Sequence, residues 1–300
     1  MPGRPSGVRA WWMAARPATL AAAVSPVLVG TAMAAFHDAV APLPALAALV
    51  GALLIQIATN FANDYFDARR GVDSAERLGP TRVVHAGILP PEAVLRATFL
   101  VLGLALTVGV YLVWVGGLPV LLIGLASLAC ALAYTGGPFP LAELGLGDLF
   151  VFVFFGLAAV GGTYYVQTGA LAGDVLLAGA GVGALSTAIL CVNNLRDVET
   201  DARAGRRTLA VRLGPSGAKA EFLILVIGAA VVPPIGMWLA GWPIWTFIAL
   251  VGLAPALGTI ETVLRYVDPR ELNPALRRVA RGVSWYGGLL AAGFVIGIGT

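Results

Sequence analysis

Charge is what this chain has least of. Asp, Glu, Lys and Arg make up only 12% of its 300 residues, against about 25% in an average soluble domain. Hydrophobic residues make up 59% and the mean hydropathy is +0.88. No globular core hides that much apolar surface, so lipid must solvate most of it. Cysteine is nearly absent too. Cys130 and Cys191 both sit inside apolar runs, which excludes a disulfide framework or a metal knot and makes them packing residues.

Apolar runs marked off by charges, glycines and prolines predict helices near 17–36, 43–68, 92–114, 118–135, 147–166, 174–195, 219–240, 243–264 and 279–298. The expected fold is all-α: a polytopic membrane bundle of about nine transmembrane helices forming one domain over 1–300. The first run resembles a secretory signal, with Arg4, Arg9 and Arg16 before it. It is too long for a typical signal and is read as a retained helix.

Orientation follows from where basic residues are missing. The loops near 37–42, 115–117, 167–173 and 241–242 contain no Lys or Arg. All 19 basic residues fall before the first helix, at 69–96, at 196–219 and at 265–281, in groups of 3, 5, 6 and 5. Nine helices with a cytoplasmic N-terminus put every group on one side, as the positive-inside rule requires. The net charge of +3 then answers anionic headgroups and an anionic substrate at the cytoplasmic membrane, and no nucleic acid.

A carboxylate inside a membrane helix costs about 2.5–3.5 kcal/mol on insertion scales, so the few present need a reason. On the second helix, Gln56, Asn60, Asn63, Asp64 and Asp67 share a face, and Asp73 follows beyond Gly71. The sixth helix ends with Asn193, Asp197 and Asp201 at i, i+4 and i+8. Arg69, Arg70, Arg77 and Arg82 follow the first stripe; Arg203, Arg206, Arg207 and Arg212 follow the second. Carboxylate and amide oxygens suit Mg²⁺, and arginine forks suit phosphate oxygens. Two such stripes at one membrane depth predict a single site holding a diphosphate. Asn60-x3-Asp64 and Asn193-x3-Asp197 also hint at a repeat, dividing the chain into halves near 17–135 and 147–298.

These motifs resemble the two aspartate-rich motifs of the UbiA superfamily of intramembrane aromatic prenyltransferases. The stretch from Asn193-Asn194-Leu-Arg196-Asp197 through Gly205-Arg206-Arg207-Thr208 to Leu213-Gly214 is similar to the branch acting on 1,4-dihydroxy-2-naphthoate in menaquinone synthesis. Tyr134-Thr135-Gly136-Gly137-Pro138 and Arg16-Pro17-x-Thr19-Leu20 look like that branch as well. Arg206 departs from it, standing where the branch usually has lysine, and Asp73 lies further from Asp67 than the third aspartate of the 4-hydroxybenzoate branch.

The resemblance implies that Asp64, Asp67, Asp197 and Asp201 hold Mg²⁺, with Mn²⁺ an alternative. Asn60, Asn63, Asn193 and Asp73 would complete or orient the shell. The metal and the arginines would grip a polyprenyl diphosphate and neutralise its leaving group. Tyr65, Phe66, Tyr134 and Phe150–Phe155 are candidates for a dry aromatic wall around the allylic cation. Asn194 and Arg196 are candidates for holding the aromatic acid, while Glu143, Asp148 and Tyr164 line its pocket or sit at the interface. His85 reads as a surface residue. The rival acceptors are 4-hydroxybenzoate, homogentisate, haem and a glycerol-phosphate lipid. The rival class is a cation-coupled transporter, which would place its ionisable residues near the midplane.

Overall fold

The computed structural model describes residues 7–70, 78–79, 81–136 and 140–299, and every regular element among them is helical. A short helix α1 (Gly7–Ala15) precedes α2 (Pro17–Phe36), α3 (Pro42–Arg69), α4 (Pro91–Ala133) and α5 (Gly147–Thr168). There follow α6 (Gly173–Arg196), the short α7 (Val198–Arg203), α8 (Leu209–Ala240), α9 (Ile244–Arg265) and α10 (Pro269–Ile296). Proline at the first or second position starts α2, α3, α4 and α10, where its missing N–H costs no hydrogen bond.

Eight of these segments are long and apolar enough to cross a membrane. The sequence divides the chain into nine, and the difference lies in α4. A straight helix of its 43 residues would run about 65 Å, twice the roughly 30 Å of a hydrocarbon core. It is broken at Gly117, whose φ of 65° and ψ of −152° no helix accommodates. Phe99, Leu102, Gly103 and Leu106 before the break share a cleft with Leu128, Ala129 and Leu132 after it, so the second arm folds back beside the first.

Other boundaries moved as well. The helix expected from 219 begins at Leu209, because Thr208 caps a short first arm by accepting from the Val211 amide at 3.3 Å, and Gly214 (φ 71°) then turns the chain. The last helix was expected from 279, but α10 starts ten residues earlier. Asp268 and Glu271 form a capping box at its first turn, which a hydropathy reading passes over. The amphipathic α1 lies before the first apolar run and was not expected.

Consecutive helices pack on one another in order, and α10 closes back on α2, making a ring with α6 as its most buried member. Small residues allow that burial. A Cβ on Gly156 would lie 2.6 Å from the Gly179 carbonyl and 2.7 Å from the Gly183 Cα, so α5 and α6 meet backbone to backbone. At that contact α5 runs as a π-helix over Phe152–Ala158, a geometry frequent at functional sites.

At one end of the bundle, His37 Nδ1 lies 2.7 Å from the Tyr164 hydroxyl. There Asp174 receives His37 Nε2 at 3.4 Å and Trp242 Nε1 at 3.4 Å. This clasp joins three of the four loops that lack basic residues. The acidic motifs sit at the other end.

Candidate active site

The first motif occupies about the last four turns of α3, where Gln56, Asn60, Asn63, Asp64 and Asp67 are all buried. Asn60 Nδ2 donates to the Ala15 carbonyl and to Thr19 Oγ1, both at 2.9 Å, which ties α3 to the elbow between α1 and α2. Arg16 forms that elbow in a left-handed conformation (φ 50°), sparsely populated for a residue with a side chain. Asn63 Oδ1 accepts from Thr135 Oγ1 at 2.7 Å.

The two aspartates of this motif do different work. Asp64 accepts the backbone amides of Val83 at 3.1 Å and Val84 at 3.2 Å, one on each oxygen. It therefore fixes the loop that carries Arg82. Arg82 then reaches Asp67, with Nη2 2.6 Å from Oδ2.

The second motif starts where α6 ends. Arg196 is 2% exposed and grips Asp197 with two donors, Nε to Oδ1 at 2.8 Å and Nη2 to Oδ2 at 2.5 Å. It also donates to Asn193 Oδ1 and to Asn273 Oδ1, both at 2.9 Å. Asn273, on α10, passes its own amide hydrogen to the Leu78 carbonyl at 2.8 Å. These bonds engage Arg196 on several sides. One residue turn further on, α7 presents the buried Asp201.

Arg206 joins the motifs. Its Nη1 lies 3.2 Å from Asp201 Oδ1 and its Nη2 3.4 Å from Asp67 Oδ1. Its Nε is 3.5 Å from Glu143, which also takes Arg70 Nη1 at 2.7 Å. Burial raises the Asp201 carboxyl above the ordinary aspartate value, and the neighbouring Arg206 guanidinium partly offsets this.

Above these groups lies a compartment of about 960 Å³. Its polar end is lined by Asn60, Asn63, Asp67, Arg82, Asn193, Asn194, Arg196, Asp197, Asp201 and Arg206, with Tyr134 beside them. The rest is apolar and runs along α3, α4 and α5 past Ala48, Val113 and Gly124. Phe150, Phe154 and Phe155 are part of that wall, and the rings of Phe150 and Phe154 stack with centroids 5.9 Å apart. Tyr65 and Phe66 lie outside it; the Phe66 ring instead packs where a Cβ on Gly136 would sit.

Several expected residues are placed elsewhere. Asp64 lies behind the compartment wall. Arg69 is exposed, with its guanidinium 5.9 Å above the Tyr65 ring. Arg70 and Arg207 are exposed at the rim, the first paired with Glu143 and the second donating its backbone amide to the Glu143 carbonyl at 2.9 Å. Asp73 falls outside the described residues. Tyr164 belongs to the far clasp, and Asp148 is buried off the compartment. The wall also holds Arg16, Glu143, Asn273 and Arg277, none of which periodicity had singled out.

Among the described residues, no three Asp, Glu, His or Cys side chains gather closely enough to cage an ion. An all-oxygen set split between two walls suits Mg²⁺, which typically binds through one or two carboxylates together with substrate phosphates.

The model of the UbiA prenyltransferase family matches residues 23–285. A 1,4-dihydroxy-2-naphthoate octaprenyltransferase from Escherichia coli is 35% identical over 283 residues, covering 92% of each chain. The enzyme of the same name from Mycobacterium tuberculosis is 39% identical over 267 residues, 89% of this chain and 90% of its own. Among solved structures, a UbiA homolog from Archaeoglobus fulgidus bound to GPP and Mg2+ superposes with a TM-score of 0.60 at 16% identity, covering 94% of this chain and 99% of that one. A family match across most of the length and a helical ring with two acidic motifs at one end agree: the chain belongs to the UbiA prenyltransferase family.

Proposed function

We propose that this protein transfers a polyprenyl group from a polyprenyl diphosphate to 1,4-dihydroxy-2-naphthoate, with loss of CO₂, in menaquinone biosynthesis. The observation that carries the reading is Arg206 bridging Asp67 and Asp201 at the polar mouth of a long apolar compartment. The names of the bacterial relatives support the acceptor, and the GPP- and Mg2+-bound homolog supports the donor and the metal.

On this reading the diphosphate rests at the polar end and the prenyl tail lies along α3, α4 and α5. Asp67, Asp197 and Asp201 would hold Mg²⁺ (or Mn²⁺), with Asn60, Asn63 and Asn193 around them. The ion, when bound, supplies Lewis-acid charge to the diphosphate oxygens. Arg82 and Arg206, already oriented by Asp67 and Asp201, turn their donors to the leaving group as the allylic C–O bond breaks and its electron pair departs with the diphosphate. Phe150, Phe154 and Tyr134 keep water from the allylic cation and offer it aromatic faces. The ring carbon attacks, and the carboxylate leaves as CO₂, so the exchange of prenyl for carboxylate balances without a net proton.

Asp64 and Arg196 are assigned to positioning, the first of the Arg82 loop and the second of Asp197. The same reading takes the two arms of α4 as separate crossings. That gives nine in all, with two weakly repeated halves, and puts the N-terminus and the site on the cytoplasmic side of the cell membrane.

The test is prenyl transfer in proteoliposomes from a labelled polyprenyl diphosphate with Mg²⁺. Parallel samples hold 1,4-dihydroxy-2-naphthoate or 4-hydroxybenzoate, each repeated with Asp67→Asn and Asp201→Asn. Product from the naphthoate alone, lost with EDTA and in both variants, is expected. Product from the benzoate alone would move the enzyme to another acceptor. No metal-dependent product from folded protein with either would overturn the assignment.

A further inference from the structure

The compartment wall contributed by α10 is a single helical face. Asn273, Leu276, Arg277 and Ala280 line it at i, i+3, i+4 and i+7. Asn273 is bound on both sides of its amide, to Arg196 and to the Leu78 carbonyl, which fixes the register of this face against the second acidic motif. Leu276 and Ala280 are apolar. Arg277 is the one charge on the face.

The other guanidiniums facing the compartment are engaged. Arg82 is held by Asp67, Arg196 by Asp197, and Arg206 by Asp67, Asp201 and Glu143. Arg16 too has a partner. Arg277, among the described residues, makes no ion pair and no hydrogen bond. Its neighbour Arg278 faces away and donates to the Gly258 carbonyl at 3.4 Å. The reaction brings two anions into this space. One, the diphosphate, has its cations waiting between the two motifs. The other, a flat aromatic carboxylate, needs a planar donor pair beside an apolar surface and within reach of water. Arg277 is exposed, stands beside Leu276 and Ala280, and carries the fork geometry that carboxylates match. Asn194 lines the same space with its side chain buried, an amide able to face a ring hydroxyl.

We infer that Arg277 binds the carboxylate of the aromatic acceptor and so selects acids over their decarboxylated counterparts. The inference rests on the acceptor being an aromatic acid, as proposed above. It assigns that recognition to α10 and leaves Arg196, which the sequence favoured, with a positioning role.

Equilibrium binding tests it without requiring turnover. The full-length protein in proteoliposomes is titrated with 1-hydroxy-2-naphthoate and with 1-naphthol, as wild type, Arg277→Gln, Arg277→Lys and Arg281→Gln. Wild type is expected to prefer the acid by about tenfold to a hundredfold, the range of a charge-assisted hydrogen bond. In Arg277→Gln that preference should collapse while 1-naphthol binding and the Kd for the prenyl diphosphate stay unchanged. Arg277→Lys should restore part of the preference, and Arg281→Gln should keep all of it. A preference that survives Arg277→Gln, or that is absent in wild type, overturns the inference. So does an equal loss for 1-naphthol, an equal loss in Arg281→Gln, or a rise confined to the diphosphate Kd. Failure of naphthoate turnover in wild type, with the binding preference intact, would count against the proposed reaction and not against this site.

Discussion

The two acidic motifs look alike in sequence and differ in how their carboxylates are held. In the first, Asp64 is bound by backbone, the amides of Val83 and Val84, and so ties down a loop. In the second, Asp197 is bound by a side chain, the fork of Arg196, at the end of the most buried helix. The remaining aspartates, Asp67 and Asp201, converge on one guanidinium, that of Arg206. Each motif thus has one acid held by its own surroundings, Asp64 by a loop and Asp197 by Arg196, and one that meets Arg206. Residues matched by spacing are not matched in role.

Substitutions that separate architecture from chemistry sharpen this contrast. The largest effect is expected for Arg196→Met, which leaves Asp197 without its buried partner. Breaking such a pair costs about 3–5 kcal/mol, and thermal inactivation in detergent should show it as a loss of folded protein. Arg206→Ala should leave the fold intact yet lower kcat about a hundredfold to a thousandfold, as removal of a leaving-group donor does. Arg206→Lys, keeping the charge as a point, should recover part of that in a steady-state assay. Asp64→Ala removes two amide–carboxylate bonds, each worth about 1.5–3 kcal/mol. Its expected signature is faster hydrogen exchange at Val83 and Val84, with activity falling because Arg82 is no longer aimed. Were exchange unchanged while activity vanished, Asp64 would be a ligand and the contrast between the motifs would fail. The smallest effect is expected for Thr135→Val, which deletes one buried hydrogen bond to Asn63 and should cost about 1 kcal/mol of stability.

Much of this was legible in the sequence because lipid imposes simple rules. Helix positions followed from the apolar runs, and the face shared by Asn60, Asn63 and Asp67 followed from a 100° step. What escaped depended on loops and on direction. The sequence marks Glu143 only as a pocket or interface residue, and nothing periodic shows that from a Gly- and Pro-rich connection it meets both Arg70 and Arg206. Arg196 stands beside Asn194 as a candidate for holding the aromatic acid, on family resemblance. The chain leaves α6 just beyond it, and that turn folds the guanidinium back on Asp197. Arg277 was hidden among the basic residues that positive-inside anchoring explains collectively. Only packing distinguishes it from Arg278 and Arg281.

The broken helix α4 is among the least buried elements of the ring, with 11% of its most apolar window covered by protein. Leu106, Val110, Leu121 and Leu125 line the compartment and are also 53%, 65%, 38% and 52% exposed. The wall beside the proposed prenyl tail is therefore shared with the surrounding acyl chains. For a substrate that reaches its site through such a wall, the relevant concentration is its mole fraction in the bilayer, not its molarity in the tube. Adding inert lipid at constant total donor should then slow the reaction by surface dilution, while the water-borne acceptor keeps its KM. An enzyme of this shape is governed by two concentration scales at once, one for each partner.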